Sequence, residues 1–269
     1  MPAAPLCGVL GHPVGHSRSP AIQNAAFAAA GLDWRYVKLP VAPELFDETV
    51  RALPASGYRG ANVTIPHKLA ALGVADSVSD AARAIGAANT LSFLGSAIEA
   101  DNTDAGGFLD ALERPVAGLR ALVLGAGGAG RAVAWALREG GAAEVSVWNR
   151  TPERAAELAR ELGVAHAQQP PGGVDLVVNA TSVGLDASTP ESDALAALGL
   201  LASEPPETVV DMVYRADGEP TPVAGWGARG GARVVDGLEI LVRQGARSFT
   251  LWTGAGAPLD AMRRAALAH

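Results

Sequence analysis

Of the 21 lysine and arginine residues in this 269-residue chain, only two are lysines, Lys38 and Lys68. An amine can be tuned to give and take a proton near neutrality, whereas a guanidinium stays charged. On composition alone, two leftover surface lysines are the better explanation of the count. Position makes Lys68 more informative. It follows an apolar stretch at 60–65 and Pro66, near the start of an expected helix at 68–72. Asp104 follows Asn102-Thr103 and precedes Gly106-Gly107. If both face one cleft, they form an amine–carboxylate pair able to move a proton, help that contributes about 10²–10⁴-fold to a rate. The alternative for Asp104 is a helix cap before residues 108–112.

The chain has six asparagines, and five stand in Asn-Thr or Asn-x-Thr contexts at positions 62, 89, 102, 149 and 179. Each falls near the expected end of a strand, where ligands bind in α/β sheets. Short amides and hydroxyls there suit a polyhydroxylated ligand, although caps and turns use the same residues.

Gly125-Ala126-Gly127-Gly128-Ala129-Gly130 carries G-x-G-x-x-G between an expected strand at 120–124 and a helix reaching about 138. In that context the first glycine permits a tight turn, the second lets backbone approach a pyrophosphate, and the third lets helix and strand pack closely. The helix N-terminus adds amide donors. At the end of the next strand, sites for the 2′-hydroxyl cofactor carry an acid. This chain has Asn149, Arg150, Thr151 and then Arg154, which suit a 2′-phosphate and hence NADP. Thr151 with Pro152 also reads as a capped helix start.

Other chemistries fit poorly. His12 and His16 lack a third ligand at metal spacing. Ser17 and Ser19 flank a helix start, where amides favour a carboxylate, but no base and no nucleophile elbow accompany them, against a hydrolase. A net charge of −7 without a basic stripe argues against nucleic acid. No apolar run is long enough to cross a bilayer, no signal peptide is expected, and a cytoplasmic, membrane-free protein follows. The single Cys7 reads as a buried thiol.

Positioning these residues requires alternating strands and helices. Strands are expected at 6–10, 34–39, 60–65, 120–124, 144–148, 176–179 and 208–212, with a hairpin at 90–93 and 97–100. Helices are expected at 19–31 (Ser19 as cap, Pro20 at its first position), 44–52, 80–85 and 152–162, and from 237 to the end. That alternation predicts an α/β fold with a parallel sheet in the second half.

In order along the chain, GHPVGHSRSP, NVTIPHK, IGAANT, DNTD, GAGGAG, NRTPER, NATSVG, DMVY and DGLEILVRQGA resemble the shikimate dehydrogenases over nearly its whole length. The resemblance implies an N-terminal α/β substrate domain and a Rossmann-like NADP-binding domain. It implies interconversion of 3-dehydroshikimate and shikimate with NADPH, in aromatic amino-acid biosynthesis. It makes Lys68 and Asp104 the catalytic pair and puts Ser17, Ser19, Thr64, Asn89, Tyr214 and Gln244 on the substrate. NADP falls to Gly125, Ala126, Gly127, Gly128, Ala129, Asn149, Arg150, Thr151 and Arg154, with further contacts at Asp80, Met212 and Gly237. No metal is implied.

The chain departs from the family at His67, usually apolar or aromatic, directly before Lys68. Ile240 replaces a frequent methionine, and Arg215-Ala216 lacks a proline common after the tyrosine. Residues 1–103 with 238–269 are expected to hold the acid and 104–237 to hold NADP, with closure of a cleft excluding water. Monomer and homodimer both remain open. Rival readings are a quinate or amino-analogue enzyme of the same family, with NAD as an alternative cofactor, and a catalytically silent ligand sensor.

Overall fold

The computed structural model describes residues 4–215 and 217–268; Ala216, one of the departures above, lies outside the described residues. The chain parts into two compact units, Met1–Gly107 with Leu241–His269, and Phe108–Ile240. Both divisions fall inside helices, a few residues beyond the boundaries expected from sequence.

The first unit carries β1 (Leu6–Gly11), α1 (Ser19–Ala29), β2 (Arg35–Pro40), α2 (Phe46–Ala52), β3 (Tyr58–Val63), α3 (Ala71–Val74), β4 (Ser77–Val78), α4 (Asp80–Ile85), β5 (Thr90–Leu94) and β6 (Ala97–Asp101). Helix α5 (Thr103–Leu112) begins in it, and α10 (Gly237–Thr253) and α11 (Leu259–Leu267) complete it. Its sheet runs β2-β1-β3-β5-β6-β4. β1 pairs in parallel with both β2 and β3, whereas β5 is antiparallel to β3 and β6. The 90–101 hairpin of alternating residues turns the sheet from parallel to mixed. The central strands β1 and β3 are buried on both faces, so both faces of the sheet are covered there. Cys7, Val9 and Tyr36 pack with Ile22, Phe27, Phe249 and Met262 on one side. Leu10, Ala61 and Val63 pack with Phe46, Val50 and Val74 on the other.

The second unit carries β7 (Arg120–Leu124), α6 (Gly128–Glu139), β8 (Glu144–Trp148), α7 (Pro152–Leu162), β9 (Ala165–His166), β10 (Leu176–Asn179), α8 (Glu191–Ala197), β11 (Thr208–Asp211), α9 (Pro222–Arg229) and β12 (Arg233–Val235). All its strands are parallel, in the order β12-β11-β10-β7-β8-β9. This is the doubly wound order, with its topological switch between β7 and β10. Short runs such as Leu176–Asn179 are buried at every position, as a sheet covered on both faces requires.

Candidate active site

In the first unit, three chain segments arrive at one end of the sheet. The register pairs Asn62 with Thr90 and Thr90 with Asp101. The end of β3, the start of β5 and the end of β6 therefore lie side by side, and the segments beyond them carry Lys68, Asn89 and Asp104. Lys68 Nζ donates to Asp104 Oδ2 at 2.6 Å, and both side chains are largely shielded from solvent.

Lys68 does not begin a helix, contrary to the sequence expectation; helix starts only at Ala71. Leu72 N–H, which would bond the Lys68 carbonyl in a helix, goes to Leu69 O instead, and the Lys68 carbonyl accepts from Ala88 N at 2.8 Å. The lysine thus sits on a turn pinned to the segment that carries Asn89. Next to it, His67 is buried, stacks on Phe46 with ring centroids 4.5 Å apart, and places Nε2 2.8 Å from the Val41 carbonyl.

Asp104 is the second residue of α5, not the residue that caps it. Asn102 Oδ1 accepts from Ala105 N at 3.2 Å. The Asp104 carboxylate lies in the first turn, where the helix dipole favours a negative charge. Its second oxygen accepts from Asn89 Nδ2 at 2.9 Å. The orientation of that amide is fixed by the backbone: Thr103 N donates to Asn89 Oδ1 at 2.7 Å, so the –NH₂ must face the carboxylate. Gln244 Oε1 also accepts from Asn89 Nδ2, at 3.2 Å. Gln244 comes from α10, which approaches α5 at Gly107.

Ser17 and Ser19 follow β1. The expected cap of α1 was Ser19, but Arg18 takes the capping position and Ser19 is the first helical residue. Ser17 Oγ accepts from Ser19 N, at 3.3 Å. Arg18 donates to the Ala266 carbonyl at 2.6 Å, and the other lysine, Lys38, donates to the Gly15 carbonyl. The loop bearing the serines is therefore tied down at two points. Thr64 lies at the same end of the sheet, since its N–H bonds Leu10 O at 2.8 Å.

In the second unit, Gly125 has φ 110°, a conformation reserved for glycine. A Cβ on Gly130 would come within 2.0 Å of the Gly125 carbonyl, whereas one on Gly127 would meet nothing. The loop is thus tight where helix meets strand and bare where α6 begins, with Gly128 and Ala129 opening the helix. Asn149 Oδ1 accepts from Ala126 N at 3.2 Å, and its Nδ2 donates to Thr151 O at 2.9 Å, which joins the glycine loop to the end of β8. Thr151 occupies the capping position of α7 without a side-chain cap bond. Arg150 and Arg154 are exposed, and neither forms an ion pair among the described residues. Met212 and Tyr214 follow β11, and Gly237 packs against the Val213 carbonyl, where a Cβ would fall 2.5 Å away. Ile240 is buried. Asp80 lies in the first unit, exposed in the first turn of α4, and shares no hydrogen bond with the Lys68 cluster among the described residues. The described residues contain no group of three or more metal-ligating side chains.

Residues 9–91 match the family model for the shikimate dehydrogenase substrate binding domain, residues 110–181 that for shikimate / quinate 5-dehydrogenase, and residues 237–267 that for the shikimate 5′-dehydrogenase C-terminal domain. The chain is 45% identical to the shikimate dehydrogenase (NADP(+)) of Anaeromyxobacter dehalogenans, an alignment covering 97% of this chain and 95% of that one. The chain belongs to the shikimate dehydrogenase family. It is also 40% identical to the shikimate dehydrogenase (NADP(+)) of Methanothermobacter thermautotrophicus, with the same coverage. Among solved structures, shikimate 5-dehydrogenase from Thermus thermophilus, in complex with NADP(H) and shikimate, matches with TM-score 0.85 and 41% identity over 97% of this chain and 98% of that one.

Within this shikimate dehydrogenase fold, sequence reasoning passes over two groups. One is Ser248, buried one helical turn after Gln244. The i, i+4 spacing puts both on one face of α10 and is the signal that could have found it. The other is Asp211 at the end of β11, fully buried and bonded to Asn179 Nδ2 at 2.9 Å, to Val213 N at 3.0 Å and to the Thr221 hydroxyl. Burial pushes its carboxyl up to about 6, and those hydrogen bonds oppose the rise.

Proposed function

We propose that the chain catalyses the reversible NADPH-dependent reduction of 3-dehydroshikimate to shikimate, a step toward chorismate and the aromatic amino acids. The observation that carries this reading is the Lys68–Asp104 pair at 2.6 Å, whose carboxylate accepts from Asn89, itself bonded to Gln244. In the reducing direction the Lys68 ammonium gives its proton to the substrate ketone oxygen as that oxygen becomes a hydroxyl. Asp104 holds the amine in place and, with Asn89, accepts from or donates to a neighbouring hydroxyl. In the oxidising direction the neutral amine takes the proton back. Thr64, Gln244 and Tyr214 orient the ring, and Ser17 and Ser19 bind the carboxylate.

The second unit's residues fit the cofactor. Gly125 and Gly130 leave no room for side chains, Gly127 leaves open space at the start of α6, and two exposed arginines stand free of carboxylates after β8. The loop of Gly125, Ala126, Gly127, Gly128 and Ala129 would hold the pyrophosphate on backbone amides, and Asn149, Arg150, Thr151 and Arg154 the 2′-phosphate. Asp80, Met212 and Gly237 would supply further contacts. Bound NADP supplies the hydride chemistry. Residues 1–103 with 238–269 would be the substrate domain and 104–237 the cofactor domain. The protein would work in the cytoplasm, as monomer or homodimer. No helix among the described residues is long and apolar enough to cross a membrane.

The test is to follow reduced-cofactor absorbance with shikimate and with quinate, each with NADP and with NAD. Shikimate with NADP should give the largest kcat/KM; preference for quinate or NAD would favour the rival enzyme, and no turnover with any pair a ligand sensor.

A further inference from the structure

Beneath Asn89 three hydroxyls close a triangle. Thr90 Oγ1 lies 3.0 Å from Thr103 Oγ1 and 3.0 Å from Ser248 Oγ, and Thr103 and Ser248 are 3.1 Å apart. Thr90 and Ser248 are fully buried. The three come from β5, α5 and α10. A fourth element joins through Asn62 of β3, whose Nδ2 donates to Ser248 Oγ at 2.8 Å and to Thr90 Oγ1 at 3.1 Å, while its Oδ1 accepts from Tyr36 OH at 2.8 Å.

Each hydroxyl has one proton and two lone pairs. Asn62 fills a lone pair on Ser248, and Asn89 Nδ2, whose two protons are shared among Asp104, Gln244 and Thr103, lies 3.0 Å from Thr103 Oγ1. The protons then run around the triangle or outward to Asn89 Oδ1, which lies 3.1 Å from Thr103 Oγ1 and 3.2 Å from Thr90 Oγ1, and to the Gln244 carbonyl, 3.2 Å from Ser248 Oγ. Every group finds a partner, and a fully satisfied buried network of this kind is stiff. Its two outlets are the amide that faces Asp104 and the helix turn that carries Gln244.

We propose that Ser248 and Thr90 are positioning residues for the reaction, acting through Asn89 to hold the Asp104 carboxylate against Lys68. The inference rests on the assignment of Lys68 and Asp104 as the acid–base pair. Neither hydroxyl touches the pair; Thr90 bonds Asn89, which does, and Ser248 reaches Asn89 through Thr90 and Thr103. Loss of one leaves Asn89 and Thr103 free to share partners differently, so the carboxylate is held in line with the amine for less of the time. A displacement of that kind lowers the rate of the chemical step and leaves substrate affinity nearly unchanged.

The test compares Ser248→Ala and Thr90→Val with the parent chain, using shikimate and NADP. Both variants should lose about five- to tenfold in kcat, the size of one buried hydrogen bond, with KM within about twofold. Thr90→Ser, which restores the hydroxyl, should recover most of the loss seen in Thr90→Val. Thr253→Ala is the control: its hydroxyl donates to the Phe249 carbonyl on the same helix but stays outside the triangle, and its kcat should match the parent's. A parent chain that turns over normally while both variants keep its kcat overturns this inference alone, as does a loss expressed only in KM. A parent chain inert toward shikimate overturns it together with the proposed function.

Discussion

Gly107 of α5 lies against the backbone of Gln244 in α10, so close that a Cβ at 107 would come within 2.6 Å of the Gln244 amide nitrogen and 2.7 Å of its Cα. Backbone cannot swing away as a side chain can. Alanine would bring about 1 kcal/mol of helix propensity, but overpacking of this kind costs about 1–3 kcal/mol. Gly107→Ala should therefore lower the urea unfolding midpoint and, by displacing Gln244, lower turnover as well. A variant more stable than the parent would show that the two helices are free to separate.

The ion pair makes a second prediction. Lys68→Ala removes the proton donor but none of the residues assigned to the substrate carboxylate. Turnover should fall by about 10²–10⁴-fold, with a much smaller rise in KM. Steady-state kinetics in both directions would check this, and near-normal kcat would remove Lys68 from the chemistry.

Arg150 is exposed and free of carboxylate partners among the described residues, so its charge is available to a ligand. Arg150→Ala should weaken NADP binding by about 10–100-fold, as expected for loss of a charge-assisted hydrogen bond, and barely alter NAD. Titration of protein fluorescence with each cofactor measures both. Equal losses would mean that the arginine does not read the 2′-phosphate.

Asp211 gives the molecule a pH signature of its own. Its carboxyl is pushed up to about 6 from an ordinary value of 3.8. Well below 3.8 both native and unfolded chains hold the proton. As pH rises the unfolded chain releases it first, while the native chain must come to carry a buried charge. The contribution to stability is thus fully present at low pH and lost as pH rises through about 6. A rise of that size corresponds to about 3 kcal/mol. Unfolding free energies of the parent and of Asp211→Asn, followed from about pH 4 to 7, should shift relative to one another by that order, against the parent. Parallel curves would show that Asp211 titrates at its ordinary value.

Legibility in the sequence follows the range of the forces involved. The strands at 120–124, 144–148 and 176–179 and the helix at 152–162 can be read to the residue, because apolar runs bounded by glycine, proline or polar residues are local signals. The turn at Lys68 reads as helix because the hydrogen bond from Ala88 that takes its carbonyl comes from a distant segment. The cap expected at Ser19 lies one residue earlier, at Arg18, and the cap weighed as the alternative for Asp104 lies two residues earlier, where Asn102 supplies the side-chain oxygen. Helices α8 and α9 and strand β12 lie in a glycine- and proline-rich region whose pattern is too broken to read. For the site, motifs point to the residues with chemistry, but Ser248 and Asp211 matter through what they hold: Ser248 lies outside every motif, and DMVY contains Asp211 without showing which groups it binds.

The first unit is built from two segments that flank the second in sequence, and the second is one continuous stretch between them. Synthesis runs from the N-terminus, and domains tend to fold as their segments emerge. Residues 108–240 can therefore settle on the ribosome while Asn89 and Asp104 still wait for Gln244 and Ser248, which follow them in the chain. The proton-handling apparatus is in this sense completed only after the whole of the second unit has been made.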